Sequence, residues 1–237
     1  MKIVETRVTE IIRRTGCVLS VRADMPEEAV FQAGQFLEVT LFGHGTEVSR
    51  YLSFSSSPTE KGYIEFTKRL TESDFSCALA KLQAGDIIRI KFPLGKFVLD
   101  ESCVKHAFLA GGIGITPIHS MWQYAFDRKL GVDMILLYGN RSAEEIIFRD
   151  SFEEMAAKAQ NFKVIFSLDT AGQCPAGWQG HCGYIDAAMI RQEIPDYKER
   201  IFYVCGPTGM VKKMVEILKT DLLIPEENIR RESISGY

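Results

Sequence analysis

Three short stretches of this 237-residue chain bring together residue types that can do chemistry. In AGGIGITP (residues 110–117) an apolar run ends in glycines and a helix pattern opens after Thr116. Gly111, Gly112 and Gly114 let a backbone approach a ligand. Free N–H groups at the positive end of a helix dipole suit a phosphate or an electron-rich ring. No Lys-Ser/Thr follows, so this is not a Walker loop, and Pro117 stands where a G-x-G-x-x-G fingerprint has its third glycine. VCGPTGM (204–210) repeats the arrangement: Cys205 ends an apolar run and Gly206-Pro207 leads into a helix pattern, where proline is favoured at the first position. RYLSFSSSP (50–58) sets Arg50 and spaced hydroxyls on a strand pattern that runs into a polar turn. Each stretch has a plain alternative: glycines kept for turn geometry, a cysteine acting as a small buried hydrophobe, and an edge strand with a Ser-rich turn.

The elements that must position these residues change character along the chain. Over roughly the first 100 residues, KIVETRVTEI, GCVLSVRA, QFLEVTLF, RYLSFSS, YIEFTKRL and DIIRIKF are β-branched and aromatic segments separated by turn residues. That spacing predicts a small antiparallel barrel or sandwich. SDFSCALAKL interrupts it as a helix capped by Ser73 or Asp74 and stopped at Gly85. After PLGKFVLDES, strands alternate with amphipathic helices, the pattern of a parallel α/β sheet. HAFLAGG, DMILLYG, FKVIFSLD and RIFYVCG read as strands; TPIHSMWQYAFDRKL, EEIIFRDSFEEMAAKA, GYIDAAMIRQEI and TGMVKKMVEILKTDL read as helices. The boundary falls near residue 101, giving domains 1–101 and 102–237. Strands ending in glycine or aspartate line their carboxyl ends along one edge, where open α/β sheets bind nucleotides.

Composition narrows the function classes. Hydrophobic residues at 46% and charged residues at 25% describe a chain that folds. Lys and Arg total 28 against 31 Asp and Glu, so the basic excess needed for phosphate-backbone binding is missing and nucleic acid is excluded as a partner. No apolar run approaches the length of a membrane span, and MKIVETRVTEIIRR carries acidic residues where a signal peptide is apolar, so the expectation is a soluble, cytoplasmic chain. The six cysteines, Cys17, Cys77, Cys103, Cys174, Cys182 and Cys205, lack metal-binding spacing and are expected to be reduced, mostly packing thiols, with no bound metal.

Taken in order and spacing, AGQF (33–36), RYLSFSSSP, the Ser76 helix, FPLGKF (92–97), AGGIGITP, YGNRS (138–142), VCGPTGM and an aromatic C terminus resemble the ferredoxin–NADP reductase superfamily over residues 5–237. The resemblance implies an N-terminal six-stranded antiparallel β-barrel that binds flavin and a C-terminal Rossmann-like parallel α/β domain that binds NAD(P). The cofactor implied is FAD, with FMN the alternative, and NAD(P)H is the co-substrate. Arg50 matches the arginine that pairs with flavin phosphate, and Ser53 the hydroxyl beside flavin N5. Where relatives have an aromatic residue two positions after that arginine, this chain has Leu52, with Tyr51 one position early; both fall in the flavin segment. Thr67, Lys68 and Arg69 match the strand that follows the ribityl and pyrophosphate, and Phe75 and Ser76 the start of the pyrophosphate helix.

In the second domain Gly112, Gly114 and Thr116 match the nicotinamide side. Cys205, with Gly206, Pro207 and Met210, matches the strand end close to hydride transfer. Asn140, Arg141 and Asp169 fall where relatives hold the adenosine ribose; Asp169 favours NADH, while Arg141 suits the 2′-phosphate of NADPH. Tyr237 matches a terminal tyrosine stacked on the flavin, with a frayed terminus as its alternative, and Glu232 and Ser235 are candidates for polar support or proton delivery. Ser53, Cys205 and Tyr237 are thus the residues expected at the reacting atoms. The implied activity is a flavoprotein reductase passing electrons from NAD(P)H to ferredoxin, flavodoxin or an oxygenase component. Two alternatives remain: an NAD(P)H:flavin oxidoreductase reducing free flavin, or a non-catalytic nucleotide-sensing or electron-transfer subunit. With the cysteines scattered, these residues are not expected to include the fused plant-type iron–sulfur domain that some relatives carry.

Overall fold

The computed structural model describes residues 1–26, 30–43, 46–170 and 174–234. Alternation of apolar and polar residues produces six antiparallel strands: β1 (Lys2–Thr15), β2 (Val18–Asp24), β3 (Phe36–Gly43), β4 (Thr46–Ser53), β5 (Tyr63–Arg69) and β6 (Ile87–Leu94), in the order β4-β3-β6-β1-β2-β5. An isolated bridge between Phe54 and Phe66 joins the two edges of this sheet. Inward positions such as Val21, Val39, Phe66 and Ile90 form one core, in which Phe31 stacks on Phe54 at 4.0 Å. Helix α1 (Asp74–Leu79) is capped by Ser73, whose side chain accepts from the Ser76 N–H, and it buries Phe75 and Leu79 in that core.

The second sheet is parallel, in the order β10-β9-β8-β7-β11-β12. Its strands are β7 (Lys105–Gly111), β8 (Asp133–Asn140), β9 (Phe162–Leu168), a two-residue β10 (His181–Cys182), β11 (Ile201–Pro207) and β12 (Ile229–Ile234). The connecting helices are α2 (Ile115–Asp127), α3 (Arg149–Lys158), α4 (Ala187–Glu193) and α5 (Thr208–Glu216). One sheet face, through Leu109, Leu137 and Val204, packs on Ile190, Val211 and Met214 from α4 and α5. Strand order reverses between β7 and β11, the switch point at which such sheets bind nucleotides, and the two glycine-bearing loops lie at those two strand ends. At the opposite ends of the strands Arg200, 3% exposed, pairs with Asp133 at 2.6 Å and Asp196 at 2.7 Å and donates to the His106 carbonyl. The described residues form two compact units, one of Met1–Leu99 with His119–Arg128, the other of Asp100–Ile118 with residues 129–234.

Three features differ from the sequence expectation. The helix expected from Glu144 onward begins only at Arg149, because Ile146, Ile147 and Phe148 are three consecutive buried residues without helical period and Phe148 has a left-handed φ of 57°. Strand β12 was not expected; its charged sequence RRES is ordered by pairing with β11. The cysteines are not all reduced packing thiols. Cys174 and Cys182 form a disulfide, brought together where β10 pairs with the end of β9, and of the free thiols Cys205 is buried while Cys77 is exposed.

Candidate functional site

In the barrel unit, the register places Arg50 opposite Val39 and Leu52 opposite Leu37, so both follow the inward parity of β4 while Tyr51 takes the other face. Leu52 and Phe75 are packed into the barrel core, and the Thr67 hydroxyl is buried between those of Ser20 and Ser55. The side chains of all three are thus committed to packing or to hydrogen bonds within the protein, and the resemblance assigns Thr67 through its backbone. Tyr51 is 63% exposed, with its ring edge-on to Phe36. Arg50 lies exposed and donates to the adjacent Ser49 carbonyl. Burial lowers the pKa of Lys68, and the charges of Arg50 and Arg69 lower it further. Three cations are therefore gathered at the ends of β4 and β5, and among the described residues no carboxylate pairs with Arg50 or Lys68. A diphosphate bound there would relieve their mutual repulsion, so the set fits a flavin nucleotide.

Beyond β4 the chain crosses toward β5 through Ser53, Ser55, Ser56 and Ser57, all buried. The Ser55 hydroxyl donates to Glu65 at 2.9 Å, and Glu65 is held by Arg14 at 3.0 and 3.1 Å and by Arg22 at 2.9 Å. The sequence reading missed this buried carboxylate and its two arginines. The signal in the sequence was a glutamate set between Ile64 and Phe66 on a strand pattern; it takes the face opposite those two core residues, and its burial there needs paired charges.

In the α/β unit the two glycine loops touch through their backbones. A Cβ on Gly114 would lie 2.5 Å from the Cys205 carbonyl carbon and oxygen and from the Gly206 Cα. Gly112 takes a φ of 50°, and its carbonyl accepts from the Tyr138 hydroxyl at 3.0 Å. The Thr116 hydroxyl donates to the Ile113 carbonyl, closing the first turn of α2, and the Met210 sulfur covers Gly111 and Gly206. Cys205 is fully buried; burial, then the charge of Glu232, pushes its thiol well above the usual range and keeps it protonated. Glu232 faces Cys205 across the β11–β12 register, and burial raises its carboxyl to about 7. At the end of β8, Asn140 is 6% exposed, and among the described residues neither its amide nitrogen nor its oxygen has a hydrogen-bond partner, the kind of donor–acceptor pair a bound ligand satisfies. Asp169, just past β9, hydrogen-bonds the exposed Tyr184, whose phenol is raised by that bond and by the carboxylate charge and lowered by nearby Arg141. The sequence reading missed Tyr184. Ser235 and Tyr237 lie outside the described residues. A cleft of about 530 Å³ beside β9, lined by Arg149, Trp178, His181 and Glu193 among others, contains none of the expected site residues, and its charges pair with one another.

Comparison with known proteins gives two matches to family models: an oxidoreductase FAD-binding domain over residues 7–99 and an oxidoreductase NAD-binding domain over residues 108–216. Among curated proteins, the chain is 33% identical over 211 residues to the glycine betaine monooxygenase reductase subunit of Chromohalobacter salexigens, covering 88% of this chain and 56% of that protein. It is 30% identical to NADH-cytochrome b5 reductase 1 of Aspergillus terreus, over 75% of this chain and 62% of that one. The chain thus spans little more than half the length of these relatives. Among solved structures, the Amycolatopsis cytochrome P450 reductase superposes with a TM-score of 0.84 at 22% identity, covering 99% of this chain and 71% of that one. A ferredoxin NADP+ reductase from Neisseria gonorrhoeae with bound FAD and NADP superposes at 0.83 and 20% identity, covering 98% and 99%. At these identities the superpositions establish the fold.

Proposed function

Because this chain belongs to the ferredoxin–NADP reductase superfamily and carries an FAD-binding and an NAD-binding domain, we propose that it is a flavoprotein reductase that draws electrons from NADH and delivers them to an oxygenase component. The observation that carries this reading is the pair of glycine-lined strand ends at the switch point, packed backbone to backbone beside a buried thiol and a carboxyl raised to about 7. When bound, FAD supplies the hydride-accepting and electron-releasing chemistry. The chain's own residues bind, orient and hold protons. Arg50, Lys68 and Arg69 would neutralise the flavin diphosphate, and the Ser53 hydroxyl would support the ring edge. Gly112 and Gly114 allow a nicotinamide to lie against bare backbone, Asn140 fills its amide valences on the bound nucleotide, and Met210 and Pro207 exclude water from the strand ends. Cys205 stays a neutral thiol that shields the reacting atoms, and Glu232 holds a proton near neutral pH. Residues 1–101 and 102–237 are the functional division between flavin and nucleotide.

Two finer choices follow. Asp169 repels a 2′-phosphate and accepts hydrogen bonds from a free ribose 2′-hydroxyl, so NADH is the donor, in spite of Arg141 nearby. The acceptor is taken to be an oxygenase component because relatives matching this chain are named monooxygenase reductase subunits; ferredoxin or flavodoxin is the other candidate class. Steady-state turnover of the FAD-loaded protein with NADH and NADPH against an oxygenase component, a ferredoxin, a flavodoxin and free flavin tests all of this together. NADH preference with protein-acceptor turnover is expected. Turnover that depends on added free flavin, with little flavin retained on the protein, would identify a flavin oxidoreductase instead.

A further inference from the structure

The segment that carries Ser53 leaves the β-ladder just beyond it. Ser53 still pairs with Phe36 and Phe54 bridges Phe66, but Ser55 and Ser56 lie between strands, where their carbonyls have no ladder partner. Buried carbonyls require a donor, and both donors come from consecutive side chains of α2. The His119 Nδ1 lies 2.7 Å from the Ser55 oxygen, and the Ser120 hydroxyl donates to the Ser56 oxygen at 2.7 Å. His119 and Ser120 are 8% and 0% exposed and belong to the same compact unit as the barrel. A carbonyl can only accept, so the proton sits on Nδ1. Burial lowers the pKa of His119 against the opposing effect of that bond, so the ring is neutral. The other polar groups of Ser55 are already taken on the β5 side: its N–H donates to the Glu65 carbonyl at 2.8 Å and its hydroxyl to the Glu65 carboxylate at 2.9 Å. Ser55 is therefore clamped from two directions, and His119 is the clamp opposite β5.

We propose that His119 is a positioning residue for the flavin site: by holding the Ser55 carbonyl through Nδ1–H it fixes the backbone two residues from Ser53 and so sets the Ser53 hydroxyl against the flavin ring edge. This rests on the reductase reading above and adds a residue that motif spacing does not reveal, since a histidine on the buried side of α2 otherwise looks like filler.

The test uses the FAD-loaded protein with two substitutions. His119→Leu keeps bulk and removes the donor; His119→Asn puts an amide nitrogen close to where Nδ1 stood. Expected for His119→Leu are an altered visible circular dichroism of the bound flavin, an unchanged dissociation constant for NADH, and anaerobic flavin reduction slowed about tenfold. His119→Asn should recover the rate to within about threefold and restore the spectrum. In a Ser53→Ala background the effect of His119→Leu on the rate should largely vanish, because the histidine acts through that hydroxyl. Full additivity of the two substitutions, or a wild-type rate and spectrum in His119→Leu, overturns the proposal. Should His119→Leu fail to fold or to hold FAD, nitrogen NMR of the wild-type holoprotein decides. An Nδ1–H signal that persists from about pH 5 to 8 supports the clamp, and an Nε2–H tautomer or a midpoint near 6.5 overturns it. A wild-type protein that binds FAD but is reduced by neither nicotinamide overturns the reductase reading and this proposal with it, whereas additivity in a reducible protein overturns this proposal alone.

Discussion

Replacing Gly114 with alanine puts one carbon where the structure has none to spare. The new Cβ would stand 2.5 Å from three backbone atoms of Cys205 and Gly206, so about 1 Å of separation must be created between two packed strand-end loops. The obstructing atoms are main chain at the fully paired end of β11, so no side chain can swing aside. Overpacking of this kind costs about 1–3 kcal/mol, which for a chain of this size lowers the melting temperature by roughly 2–12 °C. If this backbone faces the nicotinamide as proposed above, a shift of about 1 Å should slow hydride transfer by 10- to 100-fold, on the order of the penalty for misplacing reactants. Gly131→Ala is the matched control: nothing lies within 4 Å of its added carbon, and its effect should stay within about 0.5 kcal/mol. Thermal unfolding followed by circular dichroism, NADH titration and single-turnover flavin reduction measure all three quantities. A Gly114→Ala protein with the melting temperature, NADH affinity and reduction rate of the control would refute the contact between the two loops and the role given to it.

Other expectations follow from the charge and thiol chemistry. Burial raises the folded pKa of Glu232 from 4.5 to about 7, so its favourable contribution is complete below about pH 4.5 and is lost as pH rises through 7. In denaturant titrations Glu232→Gln should therefore match wild type at pH 4 and exceed it at pH 8 by of order 2–3 kcal/mol; equal stabilities at pH 8 would contradict the burial of that carboxyl. For Asp196, burial favours the neutral acid, but hydrogen bonds from Arg200 and Lys105 hold the pKa down at about 2, so stability present above pH 3.8 is lost as pH falls toward 2. Arg200→Met should cost about 3–5 kcal/mol at neutral pH by stripping Asp133 of its cation and leaving Asp196 with Lys105 alone, and it should flatten that acid loss; an unchanged acid titration would deny the pairing. Thiol titration of the denatured, unreduced protein should count four reactive cysteines, and six after reduction, the difference being the Cys174–Cys182 bridge. Six thiols without reductant would rule the bridge out.

What could be read from the residues and what could not divide along physical lines. Strands β7, β8, β9 and β11 are short apolar runs ending in glycine, proline or polar residues, and their type and order follow from local pattern alone. Strand β12 has no such pattern. Its RRES core is polar and becomes a strand because β11 presents an unpaired edge, so Glu232 faces Cys205 through tertiary pairing that no local propensity encodes. The Cys174–Cys182 bridge was hidden for the same reason, since β10 exists only by pairing with Ser167 and Leu168. At the candidate site, the glycines at 112 and 114 fall just past the end of β7 against the end of β11, and Arg50 and Ser53 both lie on β4, as their spacing suggested. Of the other residues the resemblance drew in, Leu52 and Phe75 are packed in the barrel core, while Thr67, assigned through its backbone, buries its hydroxyl between those of Ser20 and Ser55. His119 and Tyr184 were passed over because their roles depend on which carbonyl or carboxylate lies opposite, and that is a property of register.

On the proposed function, one chain holds a flavin and a nicotinamide nucleotide so that a hydride passes between them. Anaerobic mixing of the FAD-loaded protein with one equivalent of NADH, followed through the visible flavin band, tests it most directly. Rapid, stoichiometric bleaching with NADH and markedly slower bleaching with NADPH is the result this account predicts. Retention of the oxidised flavin spectrum with both donors would contradict it.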